Sequence, residues 1–192
     1  MTNSSLLSRL AQIDDGELTS VPHAEPFAVV FPTQEHSPVV YTTKVHAAER
    51  LLLPPSGQAS VGMIARYGFP DPGQIAALST IVGERNLFFL GDCDPFDLLV
   101  YAWLQQHREI CYWGISDDVL SAVGLPLNES MLIDLAAAEQ NAMTLVADVL
   151  PSFAEIVGPN CAKLLASNKK IELEALASFR TRPQSDLLEM LK

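Results

Sequence analysis

Residues 86–104 read NLFFLGDCDPFDLLVYAWL, and this stretch decides the fold. Its first part, Leu87 to Leu90, is apolar without the alternation of a half-exposed strand. This pattern predicts a strand buried on both faces, as in a parallel sheet. Asp94 and Pro95 then predict the start of a helix, because aspartate is a good N-cap and proline suits the first helical position. The apolar residues that follow should pack this helix against the sheet.

Two acidic residues, Asp92 and Asp94, come at the carboxyl end of this strand, where open α/β sheets place their ligand sites. Side chains two positions apart in an extended segment point to the same side, so we expect the two carboxylates to lie together. Such a pair favours a shared proton or a bound divalent cation. Asp94 has a second interpretation, since its position also suits a residue that only caps the helix.

Length and charge restrict the class of protein. The 192 residues suit one domain with a full core, and the formal net charge of -11 argues against direct binding to the DNA backbone. The three cysteines have no metal-binding spacing and no signal peptide is recognised, which together predict a cytoplasmic protein. No apolar run reaches the roughly 18 residues of a membrane span.

Strand and helix patterns alternate along most of the chain, which predicts an α/β fold with a mostly parallel sheet flanked by helices. Besides residues 87–90, the predicted strands are residues 27–31, 38–43, 60–65 and 109–113. The predicted helices are residues 4–13, 44–53, 72–82, 96–104, 117–123, 128–150, 161–179 and 185–191. The last third should therefore be helical. We expect residues 1–37 to form an N-terminal helix and extension and residues 38–192 to form the domain.

Four stretches carry a resemblance to a known family; in chain order they are Gly68–Asp71 (GFPD), Asp92–Phe96 (DCDPF), Tyr112–Ile115 (YWGI) and Lys170–Leu176 (KIELEAL). Together they resemble the Toprim domain of the Spo11/topoisomerase VI A-subunit family, over roughly residues 38–178. The resemblance implies a four-stranded, mostly parallel sheet between helices. It also implies a Mg²⁺ site that includes Asp92 and Asp94.

The chain departs from that family at the end of its first Toprim strand, where the family has a catalytic glutamate followed by lysine. Here Thr43 precedes Lys44, and a neutral hydroxyl is a weaker ligand for a hard cation than a carboxylate. Glu35 or Glu49 would replace the glutamate only if the chain brings one of them to the sheet edge. Asp97 stands where the family has glycine and adds another carboxylate nearby. Its place in the first helical turn nevertheless predicts that it only stabilises the helix N-terminus.

Three functions follow from these observations. The family cleaves DNA with a tyrosine on a preceding winged-helix domain, but residues 1–37 are too few for that domain and hold no tyrosine. We therefore expect a stand-alone Toprim-like protein that binds a divalent metal, or a non-catalytic interaction module acting as a homodimer or with a protein partner. The alternative is Mg²⁺-dependent phosphoryl transfer, nuclease-like or of the haloacid-dehalogenase type, although Phe96 departs from the latter motif. Lys44, Arg66 and Arg85 are too few for a DNA-binding groove.

Overall fold

The computed structural model describes residues 9, 28–30, 37–52, 60–179, 187 and 189–190, with only the backbone described at 28–30 and 179. The helices predicted at residues 4–13 and 185–191 thus lie outside the described residues, apart from single positions. None of the helices in the described part of the chain has the length and apolar character needed to cross a membrane.

Five strands of the described residues form one sheet: β1 (Ala28–Val30), β2 (Val39–Thr42), β3 (Gly62–Ala65), β4 (Leu87–Leu90) and β5 (Cys111–Tyr112). Their order across the sheet is β1-β3-β2-β4-β5. Strands β3, β2, β4 and β5 run parallel, whereas β1 pairs antiparallel with β3 at the edge. The predicted α/β fold with a four-stranded parallel sheet is confirmed. Strand β1, from the segment assigned to the N-terminal extension, adds a fifth strand.

Strands β2 and β4 lie side by side in the interior of this sheet. Thr42 pairs with Leu90 at their carboxyl ends, so the residues after both strands emerge at the same level. All four residues of β2 are buried, and so are three of the four in β4. The absence of alternation in residues 87–90 therefore did indicate a strand covered on both faces.

Helices follow the parallel strands in turn: α1 (Val45–Leu52), α2 (Pro72–Val82), α3 (Pro95–Gln105) and α4 (Asp117–Ala122). Asp71 is the N-cap of helix α2 and forms a capping box with Gln74. Helix α3 begins where the sequence predicts, because the Asp94 side chain accepts a hydrogen bond from the Asp97 N–H. Trp103 anchors α3 in the core, since its indole N–H donates to Pro70 O at 2.9 Å.

The C-terminal part is helical, as expected, but more divided than the sequence predicts. It contains helices α5 (Ala137–Val149), α6 (Phe153–Val157), α7 (Pro159–Ala166) and α8 (Leu173–Phe179), with strands β6 (Ile133–Asp134) and β7 (Lys169–Lys170) paired antiparallel.

The two long predicted helices, 128–150 and 161–179, are therefore wrong, and two asparagines show the reason. Asn128 caps a short 3₁₀ turn at Glu129–Met131, so α5 begins only at Ala137. Asn168 adopts a positive φ of 57°, a conformation that asparagine tolerates and that ends a helix. The helical spacing of apolar residues continues across both breaks, whereas the helical conformation of the backbone does not.

Candidate metal centre

Three aspartates, Asp92, Asp94 and Asp97, lie together where the ends of β2 and β4 meet the first turn of α3. Each offers an oxygen atom within 4.8 Å of the oxygens of the other two. The three side chains are buried, with exposures of 0%, 6% and 5% respectively. The structure thus brings the predicted pair together at the end of an interior strand and adds a third carboxylate.

Asp92 is held by residues far from it in the sequence. Its Oδ2 atom lies 2.7 Å from the ammonium group of Lys44, which is the second residue after β2. Its Oδ1 atom accepts a hydrogen bond of 2.8 Å from the backbone N–H of Leu173, the first residue of α8. The sequence offered no local partner for Asp92, and both contacts come from other elements of the fold.

Asp94 combines the two interpretations that the sequence left open. Its Oδ1 atom accepts the Asp97 N–H at 2.8 Å and so caps α3. Its side chain also lines a cavity of about 130 Å³, whose wall consists of Thr43, Lys44, Tyr67, Gly68, Asp94, Phe96, Asp97, Val100, Glu139 and Lys170. An N-cap carboxylate has a second oxygen, so capping does not prevent Asp94 from binding a ligand.

Asp97 is the site residue that the sequence interpretation missed. Its carboxylate turns back toward the sheet, where Thr43 Oγ1 lies 2.7 Å and 2.9 Å from the two oxygens. The backbone N–H of Asp92 donates to Asp97 Oδ2 at 2.6 Å. Asp97 therefore does more than favour the helix N-terminus. An acid three residues after Asp94, in the first turn of the helix that Asp94 caps, is the sequence signal that could have indicated this role.

The close approach of Asp97 depends on Gly91, the residue between β4 and Asp92. A Cβ atom on Gly91 would lie 2.6 Å from Asp97 Oδ2 and 2.5 Å from Phe89 Cε1. Both distances are far shorter than van der Waals contact, so a side chain at this position would displace both the carboxylate and the ring.

A carboxylate thus lies at the end of β2 although Thr43 replaces the expected glutamate. It comes from α3 instead of β2, and the Thr43 hydroxyl donates to it. Glu49 does not approach the site, because it is paired with His46 on the exposed face of α1. Glu35 lies outside the described residues.

The burial of these acids changes their protonation. Desolvation, with the nearby Asp94 charge as the next cause, raises the pKa of Asp92 to about 7 although Lys44 opposes the shift. Desolvation also raises the pKa of Asp94, and raises that of Asp97 well above its ordinary value with help from the two neighbouring acids. Burial together therefore disfavours the ionised form of all three acids when no cation is bound.

The donor set fits a hard divalent cation. All three acids present oxygen atoms, the ligands that Mg²⁺ and Ca²⁺ prefer. The only ammonium paired with them among the described residues is Lys44, which offsets one of the three carboxylate charges. Lys170 is engaged elsewhere, since its Nζ atom lies 2.7 Å from Glu139 Oε1. When all three carboxylates are ionised, two negative charges remain to be compensated, and a divalent cation carries the two positive charges required.

No model of a known protein family matches the chain, and no curated protein matches it at a significant level. The resemblance to the Toprim domain accordingly stays a prediction. In the structure two of the four stretches that carry it meet at Asp92, and a third contributes Gly68 to the wall of the cavity. Asp92–Phe96 links β4 to α3, and Lys170–Leu176 passes from β7 into α8, where Leu173 contacts Asp92.

Proposed function

We propose that this protein binds a divalent cation, Mg²⁺ in the cell, through Asp92, Asp94 and Asp97. The observation that carries the proposal is the gathering of three buried carboxylates, of which only Asp92 forms an ion pair with an ammonium group among the described residues. Burying like charges together is unfavourable unless a counter-charge joins them. A bound cation would supply this charge and would hold the end of β4 against α3.

A Toprim-like site with a relocated acid is the form of metal centre that we propose. Lys44 follows β2 as the resemblance predicts, and Asp97 supplies a carboxylate beside Thr43, where the glutamate is missing. The chain would then retain the charge of the family's site while drawing one acid from a different element.

Calorimetric titration with Mg²⁺ or Mn²⁺ tests the cation site directly. We expect the wild type to bind either ion and Asp94→Asn to bind at least about tenfold more weakly. Asparagine is itself a good N-cap, so this substitution should preserve the start of α3. Asp118→Asn is the matched control, because Asp118 is an exposed acid on α4 and should not affect the binding. Absence of binding heat in the wild type, or equal affinity in Asp94→Asn, would contradict the proposal.

Phosphoryl transfer is the second candidate function, and the cavity beside the aspartates favours it. Asp94 and Asp97 both reach its wall, so a ligand in the cavity would contact the bound cation's own ligands. The metal would supply charge neutralisation at a phosphoryl oxygen. Cleavage of supercoiled DNA and of p-nitrophenyl phosphate with Mg²⁺ or Mn²⁺ tests this function. Cation binding without cleavage of either substrate would instead support the non-catalytic module, as a homodimer or with a protein partner.

A further inference from the structure

Lys170, the last residue of β7, lies opposite Asp94 of the aspartate cluster. Cys93 and Ile171 form an antiparallel bridge, in which each backbone N–H donates to the other residue's carbonyl, at 2.9 Å and 3.4 Å. In an antiparallel pairing the residue after one partner lies across from the residue before the other, so Asp94 lies across from Lys170. Residues paired in this way project their side chains to the same face. The backbone thus places the lysine beside the cluster.

The Lys170 ammonium group and two of the aspartates share one cavity. Lys170 lines the cavity that Asp94 and Asp97 also reach. Desolvation lowers the pKa of Lys170, but the hydrogen bond to Glu139 and the charge of Asp94 outweigh it and raise the pKa to about 12. The ammonium group therefore stays charged at neutral pH and lies within electrostatic reach of Asp94. Its ion-pair partners among the described residues are Glu139 and Glu172, so it faces Asp94 across the cavity without an ion pair.

The two glutamates hold the Lys170 ammonium in place. Its Nζ atom lies 2.7 Å from Glu139 Oε1 and 3.2 Å from Glu172 Oε1. Glu139 is itself fixed, because its other oxygen accepts the backbone N–H of Ala136 at 2.6 Å, just before α5. An ammonium group has three N–H donors, and these two contacts use two of them. The third donor remains for a ligand in the cavity.

The cavity has an opening and enough room for such a ligand. Tyr67 forms part of its wall and is 53% exposed, which places the cavity at the protein surface. Its volume of about 130 Å³ is about ten times the roughly 10–15 Å³ that a single water requires. A phosphate group, with one phosphorus and four oxygen atoms, fits in this space.

We propose that Lys170 binds a phosphate group of a ligand that the cation also binds. The inference rests on the proposed function, because without the cation the acids around the cavity would repel a phosphate. Mg²⁺ in proteins is commonly bound by one or two carboxylates together with substrate phosphates. Lys170 supplies an ammonium group on the cavity wall, and such a group binds phosphate oxygens as a point charge. Inorganic phosphate and a phosphodiester share this chemistry, so the experiment includes both.

A purely structural role is the competing explanation for Lys170. Its ion pair with Glu139 would then serve only to join β7 to α5. In that case Lys170→Gln and Glu139→Gln break the same ion pair, and both should change the affinity for phosphate equally. If Lys170 binds phosphate, the two variants differ, because only Lys170→Gln removes the positive charge.

Phosphorus NMR on the protein loaded with Mn²⁺ measures the affinity for phosphate, because bound Mn²⁺ accelerates the relaxation of a nearby phosphorus nucleus. The probes are inorganic phosphate and the diester thymidylyl-thymidine, with the protein in excess so that little Mn²⁺ is free. We expect Lys170→Gln to weaken binding of at least one probe by about tenfold or more. Glu139→Gln should bind that probe at least as tightly as wild type, because glutamine still accepts a hydrogen bond while a negative charge is removed.

Lys169→Gln is the matched control for the loss of a lysine from β7. The Lys169 ammonium is paired with Asp134, an exposed acid, and does not line the cavity. The control therefore removes the same charge from the same strand without changing the cavity wall. It should bind Mn²⁺ and both probes as wild type does.

Mn²⁺ affinity is measured first, in the absence of phosphate, so that the two proposals fail separately. If Mn²⁺ does not bind, the cation proposal is wrong, and the Lys170 proposal falls with it. If Mn²⁺ binds but neither probe binds, or Lys170→Gln binds both probes as tightly as wild type, the Lys170 proposal alone is overturned. Equal losses in Lys170→Gln and Glu139→Gln overturn it as well, because they indicate the structural role.

A double variant decides if circular dichroism shows that Lys170→Gln is unfolded, since that substitution leaves Glu139 buried without its partner. Glu139→Gln/Lys170→Gln removes both charges together and differs from Glu139→Gln only at Lys170. We expect the double variant to bind phosphate about tenfold more weakly than Glu139→Gln, and equal affinity would overturn the proposal. Where the loss is found, the probe that it affects more identifies the ligand as a free phosphate or a diester.

Discussion

Asp97 shows how much a single side chain can do at this site. As a residue of the first turn of α3, it suits the positive end of the helix dipole. The same carboxylate accepts hydrogen bonds from Thr43 and from the Asp92 backbone, and it joins the other two acids. These contacts are compatible with one another only because Gly91 leaves room for the carboxylate next to the backbone.

Gly91→Ala should therefore damage the metal centre. The added methyl group would meet Asp97 Oδ2 and the Phe89 ring at 2.6 Å and 2.5 Å. We expect a loss of about 1–3 kcal/mol in the free energy of unfolding and at least about tenfold weaker Mn²⁺ binding. Urea unfolding and calorimetry measure the two effects. Gly73→Ala, in the exposed first turn of α2, is the control and should keep the wild-type Mn²⁺ affinity. A Gly91→Ala protein that binds Mn²⁺ as wild type does would contradict the role of this contact.

At the scale of elements, the site depends on two neighbouring strands, β2 and β4, that end at the same position along the sheet. Because β2 and β4 are paired in register, the residue after β2 lies close to the loop between β4 and α3. A carboxylate from either element can reach the same point, so the acid need not come from the strand. Thr43 keeps a polar contact at the end of β2 and orients the acid that α3 supplies.

Moving the acid from α3 back to β2 tests this equivalence. We expect Asp97→Gly to weaken Mn²⁺ binding and the double variant Thr43→Glu/Asp97→Gly to recover about tenfold or more of the lost affinity. The recovery follows from the return of a carboxylate to the end of β2. Thr43→Gln/Asp97→Gly is the matched control, since glutamine has the same shape without the charge. Equal affinities of the glutamate and glutamine variants would show that the two positions are not equivalent.

At the scale of the whole molecule, the site joins parts of the chain that are distant in sequence. The Lys44 ammonium and the Leu173 N–H both bind Asp92, so the ends of β2, β4 and α8 meet at one carboxylate. The unfavourable free energy of burying three acids therefore lowers the stability of the whole folded domain. Functional sites commonly lower stability in this way until their ligand binds.

The stability of the cation-free protein should consequently fall as the pH rises. The folded-state pKa of Asp92 is about 7, against an ordinary value of 3.8, so between these values the folded protein holds a proton that the unfolded chain has lost. Each such proton lowers the free energy of unfolding by about 1.4 kcal/mol for every pH unit across this window. Above the folded pKa the loss is complete.

Urea unfolding from about pH 5 to about pH 8 measures this dependence. Mg²⁺ should counteract the decrease, because the cation binds the ionised carboxylates of the folded state and not the unfolded chain. Asp97→Asn, which removes one of the acids, should flatten the pH profile. A wild type whose stability is constant or rises over this range without Mg²⁺ would contradict the burial argument.

The sequence by itself determined the order of strands and helices in the α/β part and the pair formed by Asp92 and Asp94. Both follow from local patterns: an apolar run without alternation, a cap and proline at the start of α3, and two acids at a spacing of two residues. The divided helices of the C-terminal part were not predictable in the same way, because the left-handed turn at Asn168 interrupts a spacing that still looks helical.

Only the tertiary structure decided which other residues join that pair. The inward turn of Asp97 and the ion pair of Lys44 with Asp92 depend on neighbouring parallel strands that end side by side. The physical reason is that charge interactions act through space. Residues that bind one cation need to be neighbours in the fold, and their separation along the chain does not predict whether they are.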